Sequence, residues 1–86
     1  MEDQVRNQIR EFVVRNFLFG DAARLPDDAD SLLAAGVVDS TGVLELVDFL
    51  ETDLDVLVAD DETVPSNLDS IANLTQFVLR KRSAAA

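Results

Sequence analysis

The run Gly36-Val37-Val38-Asp39-Ser40-Thr41-Gly42-Val43-Leu44-Glu45-Leu46-Val47 sets a serine hydroxyl where an apolar stretch hands over to a helix-periodic one. Asp and Ser are both favoured N-cap residues, so a helix is expected to begin at Asp39 or Ser40. Capping is the default role of such a pair, because a short motif has a high false-positive rate. A helix N-terminus also presents unpaired N–H groups and the positive end of the macrodipole. A phosphate ester there is favoured by roughly 0.3–1 kcal/mol. Ser40 is therefore suited both to cap the helix and to carry a phosphate-linked group.

Little else in the chain can do chemistry. Its 86 residues contain no cysteine, histidine, tryptophan or tyrosine. Disulfides and thiolate metal sites are excluded, and the usual general base is missing. A chain of this length buries only about 60–65% of its extended surface, enough for a core but not for a deep catalytic cleft beside it. The inventory does not read as an enzyme.

The net charge is -10, and its distribution is uneven. The basic residues are Arg6, Arg10, Arg15, Arg24 and the cluster Arg80-Lys81-Arg82, while Leu25 to Val78 holds thirteen carboxylates and no cation. Nucleic acid and anionic membrane surfaces would be repelled. A partner with a basic patch would be steered toward the chain. No apolar run is long enough for a signal peptide or a membrane span, so a cytoplasmic monomer is expected.

These residues must be positioned by helices. Val5, Ile9, Phe12, Val13 and Phe17 recur at spacings of three and four, predicting an amphipathic first helix that ends before Gly20. A long polar connection follows, with Leu25 available to pin it to the core and Ser31–Gly36 reading as one helical turn stopped by glycine. In the second helix Val43, Leu46, Val47, Leu50 and Leu54 form the apolar stripe, flanked by Leu44 and Phe49, with Leu44 partly exposed. Glu45, Asp48 and Glu51 fall on another face as an acidic ridge. Asp55-Val56-Leu57-Val58 is expected to be briefly extended and Asp60-Asp61-Glu62 to be a solvated loop. Pro65 fits the first turn of a short helix through Leu68. Asp69 or Ser70 caps a last helix with the stripe Ile71, Leu74, Phe77 and Val78, whose dipole Arg80 to Arg82 would complement. The expected fold is all-α: a small four-helix bundle of three main helices and one short one, with a long first loop. One domain covers residues 1–82, and Ser83–Ala86 reads as a frayed, disordered tail.

Over nearly its whole length the chain resembles the acyl carrier proteins. Their signature is a glycine, two residues, then Asp-Ser and usually Leu, opening an acidic second helix. Gly36-Val37-Val38-Asp39-Ser40 fits it, Glu45-Leu46-Val47 repeats its downstream Glu-Leu-Val, and Leu54-Asp55, Val58 and Ile71 resemble later family positions. The resemblance implies that Ser40, next to Asp39, accepts phosphopantetheine from coenzyme A through a phosphopantetheinyl transferase. It implies thioester cargo on the arm's thiol, as in fatty-acid, polyketide and peptide synthesis. The implied partners are acyl- or aminoacyl-activating ligases and acyl transferases or synthases with basic docking patches, met by Thr41, Leu44, Glu45, Asp48 and Glu51. Two departures stand out against the family pattern: Thr41-Gly42 replaces the usual Leu, which points to a specialised carrier, and Glu51-Thr52 thins a usual acidic pair, with Asp48 at a position often apolar, which would retune partner choice. The alternative is an unmodified acidic adaptor docking a basic partner.

Two further features have plain readings. The carboxylates around Asp27–Asp30 and Asp60–Glu62 invite cations. A calcium loop starting at Asp53 nevertheless fails, because Val58 and Val64 stand where glycine and glutamate are required. Val43, Leu46, Val47 and Leu50 line either a plain core or a cavity for a short acyl chain. With Phe12, Phe17, Phe49 and Phe77 as bulk, the core reading is favoured.

Overall fold

The computed structural model describes the backbone of residues 2–85 and the side chains of residues 2–83. Four helices account for the architecture: α1 (Glu2–Phe17), α2 (Ser40–Thr52), α3 (Pro65–Leu68) and α4 (Ile71–Ala85). Among the described residues there is no strand, and the fold is an all-α bundle with a long first loop. The residues 83–85, expected in a frayed tail, continue α4 as regular helix. Ala86 lies outside the described residues.

The core follows from the helical stripes. Val5, Ile9 and Val13 of α1, Leu46 and Leu50 of α2, and Ile71, Leu74, Phe77 and Val78 of α4 are all buried, joined by Leu32, Leu54, Val56 and Leu68 from the connections. Val43 and Val47 are only partly buried at its margin. Phe12 stacks on Phe49 at 4.2 Å between centroids and meets Phe17 edge-on at 5.8 Å, which closes α1 against α2. The stretch 55–58, expected to be extended, begins instead with Asp55 left-handed at φ 57°, closing α2 through the Val56 N–H on the Leu50 carbonyl at 3.0 Å. Leu54 and Val56 are buried and Leu57 is 78% exposed.

The long loop is held at several points. Asp28 accepts ion pairs from Arg6 at 3.5 Å and Arg10 at 3.2 Å, and its carbonyl accepts the Ala72 N–H at 2.9 Å. These bonds take Asp28 out of any cation cluster. Among the described residues, no group of three or more possible ligands could hold a metal ion. Leu25 packs against the core, as its position requires. Ser31–Gly36 forms an α-turn, with the Ala35 N–H on the Ser31 carbonyl at 3.0 Å and Gly36 at φ 75°.

Asp69 clamps that turn. Its carboxylate accepts the Ser31 hydroxyl and, at 2.9 Å, the Leu33 N–H, while its carbonyl accepts the Leu32 N–H at 2.7 Å. With Asp69 so engaged, Ser70 caps α4 through the Asn73 N–H at 3.0 Å. Asp60–Glu62 is solvated as expected, with Asp60 and Asp61 exposed, but forms a 3-10 turn. Glu62 accepts the Ala59 N–H at 3.0 Å and pairs with Lys81 at 2.8 Å.

The basic cluster of α4 bonds into the neighbouring connections, and Arg82 also stands in the last turn of its own helix, as expected. Arg80 donates to the Asn67 side chain at 2.9 Å, and Arg82 donates to the Leu54 carbonyl at 3.0 Å.

Candidate functional site

Ser40 is the first residue of α2 and is exposed. The cap itself is Asp39, extended at φ -112° and ψ -173°, whose carboxylate accepts the Gly42 N–H at 2.8 Å. The expectation that the serine doubles as cap is corrected: Asp39 alone takes that role. The division has a chemical consequence, because it leaves the Ser40 hydroxyl outside the capping bond and open to solvent.

The approach to Ser40 is hydrogen-bonded through Leu32. Leu32, buried to 1% exposure, accepts the N–H groups of Val37 at 3.0 Å and Val38 at 3.3 Å. The Asp69 carbonyl holds Leu32 in turn by accepting its N–H at 2.7 Å, which ties the turn ahead of Asp39 to the start of α4. Gly42 allows the closest packing in this region. A Cβ there would lie 2.9 Å from the Phe17 ring and 2.9 Å from Val38. The end of α1 therefore abuts the first turn of α2.

Ser40 also borders a half-open cleft of about 280 Å³ lined by Leu32, Leu33, Val38, Val43, Leu44, Thr63, Val64, Pro65, Leu68 and Asp69. Its lining is mainly apolar. One wall comes from α2 and the first loop, the other from α3 and the residues leading into it. A wider hollow of about 510 Å³ between α1 and the loop around Gly20 and Leu25 shares no residue with this cleft. Its size does not make it the site, because its charged lining includes arginines already paired with Asp28 and Glu11.

The residues expected to meet partners fall into two groups. Thr41, Leu44, Glu45 and Asp48 are exposed on α2, with Leu44 at 67% and on the rim of the cleft. Glu51 is also exposed, but its carboxylate accepts the Val58 N–H at 3.1 Å and so braces the connection after α2. The exposed carboxylates of the ridge that make no such bond are Glu45 and Asp48. Val43, Leu46, Val47 and Leu50 divide likewise: Val43 lines the cleft, and Leu46 and Leu50 are plain core.

Two contributors carry no signal along the chain. The wall Thr63-Val64-Pro65 reaches Ser40 only through tertiary packing. Of the two residues expected to cap α4, Ser70 does so and Asp69 is the clamp on the first loop. Away from this site Phe19, directly after α1, is 93% exposed with φ 54°.

No helix is long and apolar enough to cross a membrane among the described residues. A comparison with models of known protein families finds no match, and no curated protein matches significantly.

Proposed function

We propose that this protein is a stand-alone acyl carrier, with phosphopantetheine attached to Ser40 and acyl or aminoacyl groups carried on it as thioesters. The observation that carries the reading is an exposed serine hydroxyl at the N-terminus of a 13-residue helix, beside an apolar cleft. The residues present fit the group in two respects. Ser40 is free of the capping bond that Asp39 makes, and the first turn of α2 offers the positive end of a helix dipole to a phosphodiester.

In loading, the Ser40 Oγ forms the new bond to phosphorus as the pyrophosphate bond of coenzyme A breaks. The adenosine bisphosphate leaves, and the serine proton passes to a base of the transferase. When bound, the arm supplies a thiol that the chain lacks, and the thiol holds cargo as a thioester. The protein's own residues orient the attachment point, through the Asp39 cap and the clamped Leu32 turn. They also present Glu45 and Asp48 to enzymes with basic patches. Exposed ion pairs contribute about 0.2–1 kcal/mol each, so this ridge steers more than it holds.

The departures from the family pattern separate on packing. Gly42 is small because Phe17 and Val38 occupy the space beside it. Thr41 is exposed, and it remains the departure that bears on partner choice toward a specialised carrier.

The test is intact mass after incubation with coenzyme A, Mg²⁺ and a broad-specificity phosphopantetheinyl transferase, with Ser40→Ala alongside. One phosphopantetheine gained by the wild type alone is the expected result. No gain with several transferases sinks the carrier reading and favours an unmodified acidic adaptor.

A further inference from the structure

We infer that Leu33 and Leu44 are the apolar grip for the enzyme that loads Ser40, taking one apolar side chain of that enzyme into the cleft they line. The inference rests on the carrier reading and adds a residue of the first loop to the docking surface.

Among the described residues four large apolar side chains are exposed: Phe19, Leu33, Leu44 and Leu57. Exposed apolar residues scattered singly are ordinary, whereas a contiguous apolar surface marks a place of interaction. Leu33 and Leu44 both line the cleft of about 280 Å³ that Ser40 also lines, and the other two do not. Ser40, Leu44 and Asp48 follow one another at four-residue spacing along α2, so each neighbours the next on the helix surface. Leu33 reaches them by way of the first loop. The Asp69 carboxylate accepts its N–H at 2.9 Å, and its carbonyl accepts the Gly36 N–H at 3.1 Å. Both backbone groups are thus bonded, and the side chain still remains 40% exposed.

Ser40 names the occupant. An enzyme that brings phosphorus to the Ser40 Oγ must come within bonding distance of a residue in the cleft lining. A standard interface covers about 800 Å² per partner, more than the mouth of so small a cleft, so the docked enzyme lies over Leu33 and Leu44 as well. No arm or cargo is on the chain before loading, and at that step the cleft is open to the enzyme. An apolar side chain seated there gains burial against Leu33, Val43, Leu44 and Leu68, while a polar one loses hydration against a mainly apolar lining. Beside it Glu45 and Asp48 are exposed and α2 carries no cation, so a basic group next to the apolar side chain completes the match. A second copy of the chain fits poorly, since it sets one net charge of -10 against another.

The experiment measures steady-state loading by the transferase, varying the carrier at saturating coenzyme A and then coenzyme A at saturating carrier. It compares wild type, Leu33→Gln, Leu33→Ala, Leu44→Gln, the double variant Leu33→Gln with Leu44→Gln, and Leu57→Gln, with thermal melting and sedimentation of each. Leu33→Ala removes the contact without placing an amide at the margin of the core, which separates docking from folding. Leu57 is the control, 78% exposed and outside the cleft lining. Each single change at Leu33 or Leu44 should raise KM for the carrier about tenfold, with kcat and KM for coenzyme A unchanged. The double variant should lose less than the about hundredfold expected of independent contacts, because both residues grip one side chain. Leu57→Gln should load like the wild type. A wild-type KM in the Leu33 variants overturns the inference, as does an equal loss in Leu57→Gln or a fully multiplicative double variant. A rise confined to KM for coenzyme A also overturns it, giving the cleft to the incoming arm. So does a dimer dispersed by Leu33→Gln, which gives the surface to a second copy. A wild type that is never loaded removes the carrier reading and this inference together.

Discussion

Gly42 shows how one position can satisfy packing against local propensity. Glycine inside a helix costs about 0.5–1 kcal/mol relative to alanine, so Gly42→Ala should stabilise the first turn of α2 if nothing stood nearby. The space is taken, however, by the Phe17 ring and Val38, each 2.9 Å from the new Cβ. Val38 is 5% exposed and β-branched, and Phe17 is held edge-on by Phe12, so neither yields freely. Overpacking of this kind costs about 1–3 kcal/mol, which outweighs the propensity gain. Gly42→Ala is therefore expected to destabilise by about 1 kcal/mol, lowering Tm by roughly 4–8 °C. Adding Phe17→Leu should recover part of the loss, since the two sites share one volume. A Gly42→Ala variant that melts higher than the wild type would show that the ring moves aside without cost.

At the scale of elements, the three main helices, Pro65 at the start of α3 and the Asp39–Ser40 boundary were legible in the sequence, because periodicity, proline and capping are local signals. The targets of Arg80, Lys81 and Arg82 were not. They bond Asn67, Glu62 and Leu54, at separations of 13, 19 and 28 residues, and no pattern along the chain encodes such meetings. For the same reason Ser40 was legible as a candidate site, while the Thr63–Pro65 wall beside it was not. The Lys81–Glu62 pair has a measurable consequence for the segment that forms this wall. The Lys81 ammonium, then the Ala59 N–H, holds the Glu62 carboxyl below its ordinary value of 4.5. A carboxylate depressed in the folded state adds stability above its unfolded pKa and loses it as pH falls through the folded value. Stability should therefore decline on acidification below about pH 4.5, and Lys81→Met should flatten part of that decline. The check is Tm against pH for both proteins, where the gap between them closes toward low pH. A gap that stays constant would mean Lys81 contributes by packing over Phe77, 5.9 Å away, rather than by charge.

For the whole molecule, the sign of the salt response decides between two sets of charges. Ion pairs such as Arg6 with Glu2, Arg10 with Asp28 and Lys81 with Glu62 are weakened by salt. Most are at least partly exposed and contribute about 0.2–1 kcal/mol each. Against them stands a net charge of -10 on 86 residues, with every carboxylate from Asp27 to Asp69 in a stretch without cations. That stretch includes Glu45 and Asp48 on α2, which no ion pair engages among the described residues. Self-repulsion of this size opposes the compact state and is relieved as the Debye length falls from about 30 Å at 0.01 M to about 8 Å at 0.15 M. Tm should therefore rise with NaCl over that range, where a chain governed by its ion pairs would melt lower. Millimolar Mg²⁺ should raise it too, by loose association with the acidic surface, since no cluster of described residues can hold the ion. Such association leaves a gradual, unsaturating titration. A sharp, stoichiometric Mg²⁺ transition would instead reveal a bound site, and a Tm that falls with NaCl would make the ion pairs the larger effect.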